Sequence, residues 1–99
     1  MDFGEAIRCL KMGHRVNRTG WNGKGMYLVM VPASTFEVNR EPWNKLYPAG
    51  TTINYQDHID MYTAQGTIVP WLASQSDILA EDWCNCSVVE LPTNKEESK

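Results

Sequence analysis

The stretch Asp2-Phe3-Gly4-Glu5-Ala6-Ile7-Arg8-Cys9-Leu10-Lys11-Met12-Gly13-His14-Arg15-Val16-Asn17-Arg18 decides the fold class. Asp2 is placed to cap a helix, and Glu5, three residues on, can close a capping box by reaching back to the cap's own N–H. Phe3, Ala6, Ile7 and Leu10 then recur at helical spacing and form one apolar stripe. Gly13 supplies the stop. So short a helix is marginal in water, so its stripe must be held by packing against something else. Residues 14–18 read as a strand, which makes a sheet the natural partner.

Working outward, residues 19–25 (Thr-Gly-Trp-Asn-Gly-Lys-Gly) form a turn cluster. Within it Asn22-Gly23 is a hairpin signal, because both residues tolerate positive φ. Residues 26–31 follow as an apolar strand that stops at Pro32, and residues 34–38 read as its resumption. Residues 39–54 carry Pro42, Pro48 and Gly50 and read as a long ordered loop, a feature often tied to function. Residues 55–63 read as one strand, Gln65-Gly66 as a turn, and 67–71 as a strand whose Pro70 sets it at a sheet edge. Ser74, with Asp77 three residues on, caps a short helix over 74–80. Residues 83–91 read as a final strand. The predicted fold is α+β: an N-terminal helix packed on a mostly antiparallel β-sheet, with a short second helix. One domain is expected over residues 1–92, followed by a polar tail, 93–99, expected to be disordered.

At 99 residues, a single domain buries only about two-thirds of the surface its unfolded chain exposes, so association between chains would add stability. Four tryptophans, four tyrosines and two phenylalanines exceed what so small a core needs and leave candidates for an interface or a ligand platform. Nine basic against twelve acidic residues argue against DNA or RNA as partner, since duplex binding rests on clustered Lys and Arg. The basic residues Arg8, Lys11, Arg15, Arg18 and Lys24 nonetheless crowd the first quarter, where a small anion would find its complement. Three cysteines with no leader-like segment suggest a reducing cytoplasm. No apolar run approaches membrane-spanning length.

Two segments could carry binding chemistry. In 20–25, Trp21 sits on a glycine-rich turn where a planar ring could stack on it, and the glycines open backbone N–H groups to anionic oxygens. The same segment also reads as a plain hairpin turn whose indole packs on the sheet. In 69–77, Trp71 ends a strand just before a helix start. Ser74 and Asp77 could face a ligand there, Asp77 accepting from a ribose hydroxyl or a base amine, or could simply cap the helix. His58 and Asp60 share a strand face and could be an acid/base pair. No third ligand at convincing spacing accompanies them, so no metal is expected. Neither a P-loop, nor a nucleophile elbow, nor G-x-G-x-x-G occurs, and no cofactor is expected.

The ordered motifs Phe3-Gly4-Glu5-Ala6, Gly20-Trp21-Asn22-Gly23-Lys24-Gly25-Met26, Pro32-Ala33-Ser34-Thr35-Phe36-Glu37-Val38-Asn39-Arg40, Tyr47-Pro48-Ala49-Gly50-Thr51, His58-Ile59-Asp60-Met61, Gly66-Thr67-Ile68-Val69-Pro70-Trp71-Leu72-Ala73-Ser74-Gln75 and Asp77-Ile78-Leu79-Ala80-Glu81-Asp82-Trp83 closely resemble the Thoeris anti-defence type 2 family of phage sponge proteins. The resemblance covers roughly residues 2 to 83. It implies a phage protein acting in the cytoplasm of the bacterial host, which sequesters a glycocyclic ADP-ribose signal without cleaving it and so keeps an effector from being activated. It also implies a homo-oligomer, a tetramer, with ligand pockets between chains. Some members bind cyclic oligonucleotides at separate sites. Carried onto this chain, Trp21 and Trp71 become the aromatic contacts, Asn22, Ser74 and Asp77 the polar contacts, and Arg18 and Lys24 the phosphate contacts. Two alternatives remain: a hydrolase of the same signal, using His58, Asp60 or Asp77, and a protein-interaction module that inhibits a defence enzyme.

Overall fold

A computed structural model describes residues 1–21 and 25–87. The first helix, α1 (Phe3–Lys11), begins as its sequence requires. The Glu5 N–H donates to Asp2 Oδ1 at 2.8 Å and the Asp2 N–H to Glu5 Oε1 at 2.8 Å, so two of the N–H groups orphaned at a helix start are satisfied reciprocally. At the other end His14 N–H donates to Cys9 O and Gly13 N–H to Leu10 O, both at 3.0 Å. This is a Schellman closure, and it places the residue after the cap in the left-handed region, where Gly13 sits at φ 89°.

Among the described residues five strands form the main sheet: β1 (Val16–Arg18), β2 (Tyr27–Val31), β5 (His58–Tyr62), β6 (Ile68–Pro70) and β7 (Trp83–Asn85). Their order is β6-β5-β2-β1-β7, and every pairing is antiparallel. Strands β3 (Ser34–Glu37) and β4 (Thr52–Tyr55) make a separate two-stranded sheet, and α2 (Gln75–Leu79) follows β6. The fold is therefore α+β, as expected. Pro70, which cannot donate to a ladder on both sides, lies on the edge strand β6. Helix α1 lies against β1, β2 and β7. Its stripe meets Val16, Leu28 and Trp83, so the buried core is Ala6, Leu10, Val16, Leu28 and Trp83. Met30, Ile59 and Met61 extend this face, because Leu28 pairs with Met61 and Met30 with Ile59 across the β2–β5 ladder.

Three expectations are corrected. Residues 34–38 do resume the pairing of β2, but in a second sheet. Val31 faces His58 in the main sheet and, three residues further along each strand, Ser34 faces Tyr55 in the small one. The two sheets are thus one long ribbon, in one register, broken at Pro32-Ala33 and Gln56-Asp57. Pro32 has no N–H for the ladder, and the Ala33 N–H donates instead to Asp57 Oδ1 at 2.6 Å. For the same reason residues 55–63 are not one strand: Tyr55 ends β4 and His58 begins β5. Residues 39–54 are not all loop either. They hold a 3-10 turn, Trp43–Lys45, and the strand residues from Thr52 onward, and Val38 N–H continues the ribbon by donating to Thr51 O at 2.9 Å. A long-range partner supplied the pairing that local propensity did not signal. The hairpin turn at Asn22-Gly23, the last strand beyond residue 87, the boundary at 92 and the tail 93–99 lie outside the described residues.

Candidate functional site

Trp83 is the pivot of the site. It is 1% exposed, and three aromatic rings surround it. Trp21 meets it edge-on at 5.4 Å and 81°, Trp71 at 6.1 Å and 86°, and Phe3 at 5.6 Å and 47°. Such tilted and T-shaped contacts set the electropositive edge of one ring against the negative face of the next. The Trp83 indole N–H donates to Asp77 O at 2.9 Å, which ties the core to α2. Trp21 and Trp71 are half-buried, and each is braced on the same fixed indole.

On the Trp21 side, Arg18, Trp21, Ser74 and Asp77 come together, four of the seven predicted site residues. Arg18 Nη1 donates to Asp77 Oδ1 at 2.9 Å and Arg18 Nε to Asp82 Oδ1 at 2.8 Å. Asp77 Oδ1 lies 3.5 Å from the Trp21 indole nitrogen. Asp77 Oδ2 accepts from the Ser74 N–H at 3.1 Å and the Ser74 hydroxyl at 2.9 Å. A carboxylate offers about four lone-pair sites, so all of Asp77's acceptor positions face groups of its own chain. Asp82 adds a further tie: its Oδ2 accepts from the Gly20 N–H at 2.8 Å. A Cβ on residue 20 would stand 2.9 Å from that oxygen, so a larger residue there would push the carboxylate aside.

The electrostatics follow from these partners. Burial pushes the Asp77 carboxyl up, but the hydrogen bonds from Arg18, Ser74 and Trp21 outweigh it and hold its pKa below the ordinary carboxylate value. The Arg18 hydrogen bond, with help from the Gly20 N–H, holds Asp82 low as well. Arg18 is raised by Asp82 and then Asp77. The trio stays ionised at neutral pH and fixes β1 to α2 and to the segment before β7.

On the Trp71 side lies an open groove of about 890 Å³, lined by residues on both sides of the break in the ribbon. Tyr55, Asn54 and Arg40 line it from the ribbon's outer half, residues 34–55 (the arm), His58 and Asp60 from β5, and β6 with Trp71 from the other wall. The Trp71 N–H donates to Ile59 O at 3.1 Å, so the backbone of this indole is held by the sheet. His58 and Asp60 do share a face: His58 Nε2 is 3.6 Å from Asp60 Oδ2, and His58 Nδ1 is 2.9 Å from Gln56 O. The carbonyl can only accept, which places the Nδ1 hydrogen there.

Of the predicted contacts, then, Trp71 alone among the described residues lines this groove, and Trp21 does not. Asn22 and Lys24 lie outside the described residues. Sequence reasoning gave no ligand role to Arg40, and read Tyr55 as core or interface. The signal that could have found them is the unusual length of the ordered 39–54 segment, which had to fold back on something. Among the described residues no group of three or more His, Cys, Asp or Glu side chains could hold a metal, and no helix is long and apolar enough to cross a membrane.

Residues 1–86 match the family described as the Thoeris anti-defense 2-like domain. The chain is also 38% identical over 86 residues to Thoeris anti-defense 2 of Bacillus phage SP01, a match spanning 84% of this chain and 91% of that protein. A match over the helix, both sheets and the Trp83 pivot establishes kinship: this chain belongs to the Thoeris anti-defense 2-like family.

Proposed function

We propose that this protein counters a Thoeris-type defence by capturing a cyclic nucleotide signal of the glycocyclic ADP-ribose type and holding it uncleaved, so that the downstream effector is not activated. The observation that carries this reading is the groove beside Trp71, about 890 Å³ in volume. Small-ligand sites typically fall between about 300 and 1,000 Å³. One wall of this groove is an indole backed by the core, which offers a base a platform already in place. Family membership supports the anti-defence role.

Capture must outcompete a receptor for a scarce signal. That calls for nanomolar affinity, about −12 kcal/mol. A ligand of a few tens of heavy atoms supplies roughly −0.3 kcal/mol per atom, about −10 kcal/mol in all. A stacked base contributes about 1–3 kcal/mol and a charge-assisted hydrogen bond about 1.5–3 kcal/mol. The target is reached only if the pocket is preorganised and closed. The groove of one chain is open, so a second copy closing over it, in a tetramer or smaller homo-oligomer, fits the same requirement. Sequestration from the host effector places the protein in the bacterial cytoplasm. On this reading Trp71 takes the base. Arg18, Ser74 and Asp77 hold Trp21 in position, and Asn22 and Lys24 are kept as further polar contacts.

The test is to incubate the protein with stoichiometric glycocyclic ADP-ribose, denature it, and analyse the released nucleotide. Intact ligand is expected. Turnover at substoichiometric protein would replace capture with hydrolysis, the second reading, which the placement of His58 and Asp60 together in the groove favours. A stable complex with a defence enzyme and no nucleotide binding would point instead to an interaction module.

A further inference from the structure

We propose that Arg40 is the anion receptor of the groove and binds the diphosphate of the ligand whose base lies on Trp71; this rests on the nucleotide-capture reading above. The groove presents two carboxylates among the described residues, Asp57 and Asp60, so a diphosphate there needs a cation to meet it directly. Among the described residues Arg40 is the one Arg or Lys that lines it. The basic residue expected to serve, Arg18, already has Nη1 on Asp77 and Nε on Asp82. Both groove carboxylates have partners of their own: Asp57 takes the Ala33 N–H and Asp60 stands beside His58. Among the described residues no carboxylate lies within ion-pair distance of Arg40.

Arg40 is also held in place. Its guanidinium carbon lies 4.7 Å from the centre of the Phe36 ring. Phe36 stacks on Tyr55 at 5.7 Å and 25°, and the Tyr55 hydroxyl oxygen accepts from the Trp43 indole N–H at 3.2 Å. Stacking uses the face of a guanidinium and leaves its N–H fork, which lies in the plane, free for the bidentate geometry that phosphate oxygens match. The arm and the sheet thus bring two complementary groups to one groove, a cation from the ribbon's outer half and an indole from the end of β6.

Calorimetry on the full chain with glycocyclic ADP-ribose, at low and high salt, separates the possibilities for the wild type, Arg40→Gln and Arg40→Lys. Arg40→Gln is expected to weaken binding about ten- to hundredfold and to flatten its salt dependence, because a charge–charge attraction has been removed. Arg40→Lys keeps the charge but not the fork, so it should retain the salt dependence while recovering only part of the affinity. Unchanged affinity in Arg40→Gln overturns the assignment and leaves capture standing. Weakened binding with an unaltered salt response also overturns it, since Arg40 would then act only by bracing the aromatic stack. No binding by the wild type refutes the capture reading, and the assignment falls with it.

Discussion

Replacing Trp83 by Phe probes the link between core and site. The change removes the pyrrole ring from a side chain that is 1% exposed. About 40 Å² less apolar surface is buried, worth about 1 kcal/mol. A residual cavity of about 40 Å³, if the neighbours do not collapse, adds about 1 kcal/mol. The indole N–H bond to Asp77 O at 2.9 Å is also lost. That carbonyl still accepts from the Ala80 N–H at 3.4 Å, so the loss belongs at the lower end of the 1–3 kcal/mol range, about 1 kcal/mol. The total is about 3 kcal/mol, within the roughly 5–15 kcal/mol available to a domain of this size, so Trp83→Phe should still fold at 25 °C. Urea denaturation followed by fluorescence should show a lower midpoint with an unchanged slope. Thermal unfolding should fall by about 12–24 °C at 4–8 °C per kcal/mol. Trp21 and Trp71 would lose part of their common brace, so nucleotide binding should weaken in the same variant. A stability loss under about 1 kcal/mol would refute Trp83 as the pivot.

Other outcomes follow from the same geometry. Trp71→Leu should weaken nucleotide binding by about 1–3 kcal/mol, the value of one stacked base, while the denaturation midpoint shifts only modestly; calorimetry beside a urea titration checks both. Asp77→Asn keeps the shape but loses the charge that Arg18 meets, and should lower stability by about 1–2 kcal/mol, because Arg18 retains Asp82 and some solvent. Because Asp77 and Asp82 titrate below their unfolded values in the folded protein, the unfolded chain binds more protons in acid. Their stabilisation is therefore complete above about pH 4 and is lost as the pH falls through the folded values. The urea midpoint of the wild type should drop there, and that of Asp77→Asn should drop less; parallel curves would exclude this origin. Asp2→Ala removes the capping box and should lower stability by about 1 kcal/mol, measurable as a shift of about 4–8 °C in thermal unfolding.

Local chemistry made much of the fold legible. Asp2, Glu5 and Gly13 bracket α1 because caps answer to the nearest few N–H and C=O groups, and these are adjacent in sequence. Ser74 and Asp77 announced α2 in the same way, and Pro70 marked an edge because a missing N–H has the same consequence wherever it sits. The amphipathic stripe named Ala6 and Leu10 as core before any partner was known. The arm was not legible. Residues 39–54 have weak propensities of their own, and β4 exists because Thr52–Tyr55 meets Ser34–Glu37, a pairing set by register across a kink and not by either segment alone.

The site divides the same way. Sequence by itself singled out Trp21, Trp71, Ser74, Asp77 and Arg18, because indoles on turns and hydroxyl or acidic residues at helix starts are local signals. Only the tertiary structure decided what these groups face. It turned Asp77 toward Arg18 and Ser74, set both indoles against Trp83, and brought Arg40 into the groove that Trp71 lines. The physical reason is that hydrogen-bond capacity and charge neutralisation are settled by whichever partners the folded chain brings within about 3 Å, and Arg18 and its partner Asp82 lie 64 residues apart along this chain.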